Sequence, residues 1–338
     1  MQTTQRASVV VLNHNGCRYL DACLAALFQQ ELDGGFEVLL VDNGSTDGSA
    51  AHVRSRWAAV RVVEAGANLG FAGGNNVGIR EARGRHLVLL NNDTRVRGGW
   101  LRALVECAES DPAVGAVTSK MVFMDRPQVI QNAGSLVLTD GSGGDRGSGE
   151  DDRGQYDRRE EVFAACGGAA LLARPMLDDV GLLDETFFAY YEDTDLSWRM
   201  RLRGWRVLYE PSAVVEHVHS GTSVEWSPFF TFHVDRNRLF MILKNAPPGF
   251  AVGAFARFGW LALRAAAGRR RGREPGPAAA EPSGAGAVRV RVHVRVVLSL
   301  LGRLPEMLAK RRRIRGGRCV DDAEILRWFY PRELWDAR

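Results

Sequence analysis

"SVVVLNHNGCRYLDACLAALFQQ", residues 8–30, decides the fold. Val9 to Leu12 form an unbroken aliphatic run with no polar face, which predicts a strand buried on both sides. A polar Asn-His-Asn-Gly turn follows, and then "YLDACLAALFQQ" (19–30), an amphipathic helix. The unit repeats along the first half. "FEVLLVDNG" (36–44), "VRVVEAG" (60–66), "HLVLLNND" (86–93) and "VGAVTSKMVF" (114–123) read as strands. "GSAAHVRSRW" (48–57), "GGNNVGIREAR" (73–83) and "WLRALVECAES" (100–110) read as the helices between them. This alternation predicts an α/β fold with a mostly parallel central sheet covered on both faces. Ligands of such sheets bind beyond the carboxyl ends of the strands. Polar clusters stand at those ends: Asn13-His14-Asn15, Asp42-Asn43 and Asn91-Asn92-Asp93.

The chain of 338 residues is long enough for one large α/β domain with an appendage, or for two units. Its five cysteines are scattered and form no CxxC pair, which argues against a disulfide framework or zinc site and for a reducing compartment. The N-terminal apolar run, Val9 to Leu12, is far too short for a signal-peptide core, and no uninterrupted apolar stretch of about 18 residues occurs, so a cytoplasmic protein is expected. The net charge of +4 is unevenly spread. Residues 257–318 carry 16 Lys/Arg against three acidic residues, a local balance of +13, which leaves −9 for the remainder. A basic tail on an acidic body implies an anionic partner, and a peripheral seat on the inner face of the cell membrane is the expectation. Nucleic acid is not expected, because no recognised binding motif or aromatic-interleaved basic patch occurs.

Residues 139–161 break the alternation with a Gly-rich, charged stretch that reads as a mobile surface loop or hairpin, either a lid or a variable insertion. From 249 onward the character changes again. "GFAVGAFARFGWLALRAAAG" is apolar with two arginines, "RRRGREPGPAAAEPSGAGA" reads as a linker, and "KRRRIRGGR" is a basic cluster.

The phosphate signatures GxGxxG and the Gly-rich loop ending in Lys-Ser/Thr are absent. The strand ends nonetheless suit a nucleotide. Asp42 could accept hydrogen bonds from a ribose or base edge. "ANLGFAGGNN" (67–76), with Asn68, Gly70 and Asn75, puts small residues where a ligand could approach the backbone closely. In "LVLLNNDT" (87–94) the buried strand runs into Asn92 and Asp93, a carboxylate suited to a hard divalent cation, Mg²⁺ or Mn²⁺, that also takes diphosphate oxygens. A turn or helix cap would be the plainer account of Asp93.

"YYEDTDLSWRMRLRGW" (190–205) concentrates Glu192, Asp193 and Asp195 beside two tyrosines. In an extended backbone Glu192 and Asp193 point opposite ways, so only one would face a given substrate. Asp195 reads as an N-cap or first-turn residue of the helix that follows. Crowded carboxylates have raised pKa values, which suits a general base acting on a sugar hydroxyl. "VVEHVHSGTS" (214–223) offers His217 and His219 on opposite sides of a strand end, and His217 is the candidate to join Asp93 at a metal. Arg236 and Arg238 are candidate contacts to phosphate or acceptor.

Taken together, "SVVVLNHN", "VDNGSTDGS", "NLGFAGGNN", "LLNNDT", "YYEDTDLSWRMRLRGW" and "EHVHSGTS", in this order, closely resemble family 2 glycosyltransferases, and within them the rhamnosyltransferase-like branch. The resemblance covers about residues 7–245. It implies the GT-A fold, a nucleotide-diphospho-sugar transferase sandwich, over 1–245. The nucleotide-binding half would be 1–125 and the acceptor half 126–245. A helical, basic region would follow over 246–338, with a linker at about 268–288. Asn13 and Asp42 fall where the family holds the nucleotide base and ribose, and Asn15, Asn68, Gly70, Asn75 and Asn92 stand beside them as candidate nucleotide contacts. "NND" stands where many members have Asp-x-Asp, so Asp93 would be the main metal carboxylate. Asp193 matches the catalytic base, in an acidic pair with Glu192, and His217 matches a metal-ligand histidine. The implied reaction is inverting transfer from a nucleotide-sugar donor, dTDP-rhamnose among the candidates, to a saccharide or lipid-linked acceptor in surface polysaccharide synthesis. A nucleotidyltransferase-type enzyme and a non-catalytic binding module are the rival readings.

Overall fold

The computed structural model describes residues 5–218, 227–270 and 285–337. Chain order begins β1 (Ala7–Asn13), α1 (Cys17–Leu27), β2 (Phe36–Asp42), α2 (Ser49–Arg56), β3 (Val60–Glu64) and α3 (Gly70–Glu81). It continues β4 (His86–Asn91), β5 (Thr94–Val96), α4 (Trp100–Glu109), β6 (Val114–Phe123), β7 (Ile130–Asn132), β8 (Ser135–Val137), β9 (Gly143–Asp145) and β10 (Glu160–Glu161). The remaining elements are β11 (Ala169–Ala173), α5 (Arg174–Val180), α6 (Glu192–Leu202), β12 (Arg206–His217), α7 (Pro228–Asn245), α8 (Pro248–Arg270), α9 (Ala285–Gly316), α10 (Asp322–Leu326) and α11 (Arg332–Asp336). A 3₁₀ turn spans Glu185–Phe187.

The strand order β10-β12-β6-β11-β4-β1-β2-β3 makes one ten-stranded sheet, with β5 beside β12 and β7 beside β6. The β1–β2, β1–β4, β2–β3 and β6–β12 pairs are parallel, and β11 runs antiparallel to both β4 and β6. Alternation along each strand builds two cores. Val9, Val11, Leu40 and Leu90 face α1 and α4, whose Leu24, Trp100 and Leu104 are fully buried. Val10, Leu39, Val41 and Leu89 face the other way, against Ile79 of α3, Met176 of α5 and Met200 of α6. Both faces are covered, which is why the strands carry no polar stripe.

Residues 139–161 are pinned rather than loose. The β8–β9 hairpin, the Ile130 N–H to Glu150 carbonyl bond of 2.8 Å and the Asp152 N–H to Gln128 carbonyl bond of 2.7 Å tie the stretch down. Lys120, nearly buried, reaches Asp152 at 2.5 Å and Asp157 at 2.7 Å. Local charge and glycine content concealed these long-range anchors.

Two compact units are present: Met1–Thr222 with Arg318–Arg338, and Ser223–Gly317. The expected boundary at 245 therefore differs from the observed division. The last residues return to the first unit, because Tyr330 pairs with the backbone of Val137 and Thr139. The linker expected over about 268–288 lies mainly outside the described residues. In the second unit Arg311 and Arg315 of α9 donate to the Leu243 and Asn245 carbonyls at 2.6 and 2.9 Å, closing the last turn of α7. Arg236, expected to meet phosphate, is buried in α7 between the Phe232 and Phe240 rings, and burial lowers its pKa to about 10. An apolar groove of about 700 Å³ runs between these helices, lined among others by Phe255, Phe258, Val297 and Leu301. Among the described residues, no helix is long and apolar enough to cross a membrane.

Candidate active site

Parallel pairing brings the ends of β1, β2 and β4 to one edge, with Asn13 opposite Asp42 and Leu12 opposite Asn91. Asn13 is fully buried and accepts a 2.6 Å bond from the Asn92 amide, while its own amide donates to Ser45 at 3.2 Å. Asn15 holds the neighbouring turn: its Oδ1 accepts from the Thr46 N–H at 2.8 Å. The side chains of Asn13, Asn15 and Asn92 thus build the walls of this edge. Asp42 is buried beside them.

Asn68 accepts from the Gly70 N–H at 2.9 Å and from the Asn43 amide at 3.2 Å. Gly70 has a φ of +73°, and a Cβ there would sit 2.3 Å from the Phe188 carbonyl oxygen. The close backbone approach read from the sequence is therefore made by Phe188 of the chain itself. Asn75 donates to the Phe71 carbonyl at 3.0 Å.

Glu192 and Asp193 are the first residues of α6, not part of an extended segment, so they do not point opposite ways. Of the two readings of Asp195, the first-turn residue holds and the N-cap, which is Tyr191, does not. Asp195 is fully buried and pairs with Arg199 one turn on at 3.0 Å, and that guanidinium also donates to the Val180 and Leu182 carbonyls. Asp193 Oδ2 accepts from the Gly167 N–H at 2.9 Å, and its Oδ1 accepts from the Thr194 N–H at 2.6 Å. Burial pushes the Asp193 carboxyl up, opposed by those hydrogen bonds. Burial pushes Glu192 further, well above the usual carboxylate range, with the Asp193 charge adding to it.

Val218 donates to the Asp93 carbonyl at 3.0 Å, and β12 pairs His217 with Thr94, so the end of β12 is bound to the β4–β5 turn. His217 Nδ1 lies 2.9 Å from Gln131 Oε1, which can only accept. Nδ1 therefore carries the proton in the neutral ring, and Nε2 presents a lone pair. That lone pair lies 3.2 Å from Asp93 Oδ1 and 3.4 Å from the Asn91 amide.

The two halves of this region share a turn. Gly167 holds Asp193, and the adjoining Gly168 accepts from the Asn91 N–H at 2.9 Å. Asn91 in turn borders His217 and Asp93. Among the described residues, twelve buried side-chain nitrogen or oxygen atoms lack a hydrogen-bond partner. Five belong to residues singled out in the sequence: Asp42 Oδ1, Asn75 Oδ1, Asp93 Oδ1 and Glu192 Oε2 in the first unit, and Arg238 Nε in the second. Unpaired buried polar atoms are costly, and a polar ligand at the strand ends would satisfy those of Asp42 and Asp93. Sequence reasoning missed Gly167, Gly168 and Gln131, which come from loops and short strands with no periodic signal.

Two facing donors, a carboxylate oxygen and an imidazole nitrogen, suit Mn²⁺ or Mg²⁺ that takes its other ligands from diphosphate and water. No group of three or more His, Cys, Asp or Glu side chains with metal-holding geometry occurs among the described residues.

Three curated relatives frame this geometry. The chain is 27% identical over 263 residues to N-acetylglucosaminyl-diphospho-decaprenol L-rhamnosyltransferase of Mycobacterium tuberculosis, covering 72% of this chain and 85% of that protein. It is 26% identical over 236 residues to the uncharacterized protein y4gI of Sinorhizobium fredii, covering 66% of this chain but 25% of that protein. With the O-antigen biosynthesis protein RfbC of Myxococcus xanthus it shares 27% identity over 228 residues, covering 65% of this chain and 18% of that one. The chain thus spans only a quarter or less of the last two. The crystal structure of GalNAc-T7 with UDP, GalNAc and Mn²⁺ superposes with a TM-score of 0.60 at 14% identity, over 90% of this chain and 58% of that one, which shows a common GT-A fold. The family model described as Glycosyl transferase family 2 matches residues 8–181, just over half of the chain, and the protein belongs to that family.

Proposed function

We propose that this glycosyltransferase moves a sugar from a nucleoside-diphosphate donor to a hydroxyl of a saccharide or lipid-linked acceptor, with inversion at the anomeric carbon. The observation that carries the reading is the Gly167–Gly168 turn, which holds Asp193 on one side and Asn91, neighbour of Asp93 and His217, on the other. Asp193 is the base: it takes the acceptor proton as the new glycosidic bond forms. The two N–H donors fix its carboxylate, and its raised pKa strengthens it as a base. Burial and the neighbouring charge raise the Glu192 carboxyl further than that of Asp193, which favours Asp193 as the ionised member of the pair. Asp42 and the Asn13–Asn92 pair line the strand ends, where the nucleoside would lie.

Asp93 and His217 would hold a divalent cation, which when bound neutralises charge on the departing diphosphate. His217 suits this role because Gln131 fixes its tautomer with Nε2 turned to Asp93.

The relative named for a decaprenol-linked substrate and the one named for O-antigen synthesis favour dTDP-rhamnose as donor and a lipid-linked acceptor in surface polysaccharide synthesis. The basic, groove-bearing unit supports a seat on the cytoplasmic face of an anionic membrane. Across Ser223–Gly317, 18 Lys/Arg stand against five Asp/Glu.

The test is incubation of the full chain with dTDP-rhamnose, UDP-N-acetylglucosamine and GDP-mannose plus Mn²⁺, reading the nucleoside diphosphate released by slow hydrolysis, with water taking the sugar in place of the acceptor hydroxyl. Asp193→Asn should lower the rate about 10²–10⁴-fold and leave donor binding intact. A variant that releases diphosphate as fast as wild type refutes the base assignment.

A further inference from the structure

The helix that carries Glu192 and Asp193 is entered through a strained turn. Phe188, Tyr190 and Tyr191 have φ values of +66°, +71° and +70°, in the left-handed region that side-chain-bearing residues rarely adopt. Tyr191 is the N-cap of α6 and offers no side-chain cap bond, so the turn is held by other contacts. One is the Tyr191 hydroxyl, which accepts from the Gly143 N–H of β9 at 2.9 Å.

The hairpin that makes this contact is itself held by the end of the chain. Tyr330 donates to the Val137 carbonyl at 2.9 Å and accepts from the Thr139 N–H at 3.0 Å. Arg332 donates its backbone N–H to the Thr139 hydroxyl at 3.1 Å, and its guanidinium reaches Ser142 at 3.3 Å and Asp140 at 3.4 Å. The Trp335 ring covers Gly144 so closely that a Cβ there would lie 2.9 Å from it. The same segment grips the body of α6. Phe329 meets Trp198 edge-on at 5.3 Å, Trp328 lies 3.9 Å from the Arg201 guanidinium, and the Cys319 N–H donates to the Leu202 carbonyl at 2.7 Å. Residues near the C-terminus thus hold α6 at its far end and, through the hairpin, at the turn before Glu192.

We propose that residues 328–336 are a positioning clamp for Asp193. They fix the hairpin against the Tyr191 hydroxyl and α6 against an aromatic flank, and this holds the strained turn that aims the carboxylate. The clamp touches no substrate. Tyr191, Arg332 and Trp335 are positioning residues, and the proposal rests on the transferase reading of Asp193.

The test uses full-length Tyr191→Phe and Trp335→Ala, with the same three nucleotide sugars and Mn²⁺. Diphosphate release at saturating donor should fall about ten- to hundredfold, since small misplacements of a reacting group carry penalties of that order. The donor KM should stay within about twofold of wild type, because the donor-side residues are untouched. Trp335→Phe, which keeps a ring over Gly144, should recover most of the rate. Arg203→Ala, at the opposite end of α6 and paired with Asp179 at 2.7 Å, should not lower it. Independently of turnover, hydrogen exchange at the amides of 192–196 should quicken in Trp335→Ala. Unchanged rates in both variants, or unchanged exchange, overturns the clamp. Should Trp335→Ala fail to fold, Tyr191→Phe decides alone. Wild-type turnover by Asp193→Asn would instead refute the base assignment on which the clamp rests, and the exchange measurement would still judge whether the segment holds α6.

Discussion

Asp93 Oδ1 lies 3.2 Å from His217 Nε2, and Gln131 Oε1 stands 2.9 Å from Nδ1 on the other side of the same ring. In the neutral ring with its proton on Nδ1, a carboxylate oxygen and an imidazole lone pair face one another, an arrangement that a cation would join. The pair is assembled across 124 residues of sequence, by pairing of β12 with β5 and by the Val218 to Asp93 backbone bond.

Metal affinity follows from this contact. Asp93→Asn and His217→Ala should each weaken Mn²⁺ binding, followed by the electron paramagnetic resonance signal of the free ion. Gln131→Leu leaves both ligands in place but releases the imidazole tautomer. Loss of such outer-shell partners typically weakens metal binding about 10–100-fold. Equal Mn²⁺ affinity in all three variants and wild type would remove the cation from this position.

Stability should depend on pH through Glu192. Its folded pKa is raised, so the folded state holds a proton that the unfolded state has released. The associated stability is fully present below the unfolded value, about 4.3, and is lost as pH rises through the folded value. Glu192→Gln is neutral at every pH and escapes that loss. Its melting temperature should exceed wild type at pH 8 and approach it at pH 4.5. A constant difference across that range would contradict the assignment.

The buried Asp195–Arg199 pair sets a different expectation. Asp195→Ala strands a guanidinium that is 7% exposed. Removing one partner of a buried pair typically costs about 3–5 kcal/mol. Urea denaturation should register that loss, whereas Arg203→Ala, at an exposed pair, should cost under about 1 kcal/mol.

Membrane seating is best tested on the full chain, because residues 318–337 pack within the first unit. The groove side chain Leu301 and its neighbour Leu298 are each 63% exposed. Leu298→Glu with Leu301→Glu should abolish flotation with phosphatidylglycerol vesicles and leave diphosphate release unchanged. Undiminished flotation would remove this face from the account.

The fold was legible because its signal is local and repeated. Val9 to Leu12, Val38 to Val41 and Leu87 to Leu90 are apolar on both faces, and only a sheet covered on both sides hides them. The candidate site was legible at its strand ends for the same reason: Asn13, Asp42 and Asp93 stand where hydrophobic runs stop. The α6 carboxylates were not. From sequence, Glu192-Asp193 fits an extended segment and Asp195 either a cap or a first-turn residue, and only packing decides that all three lie in the first turn. Arg199 draws Asp195 into the core, and three left-handed residues start the helix at Glu192.

Sequence alone therefore determined the strands β1, β2, β3, β4 and β6, their burial on both faces and the polar groups that crown them, since hydrophobic runs are written residue by residue. Tertiary structure alone decided that Gly70 receives Phe188 in place of a ligand, that Gln131 orients His217, and that the final residues return to hold the hairpin and α6. Those outcomes depend on contacts between residues tens to nearly two hundred positions apart. Such contacts leave no periodic trace in the chain, because each is fixed by the geometry of closure and not by its neighbours in sequence.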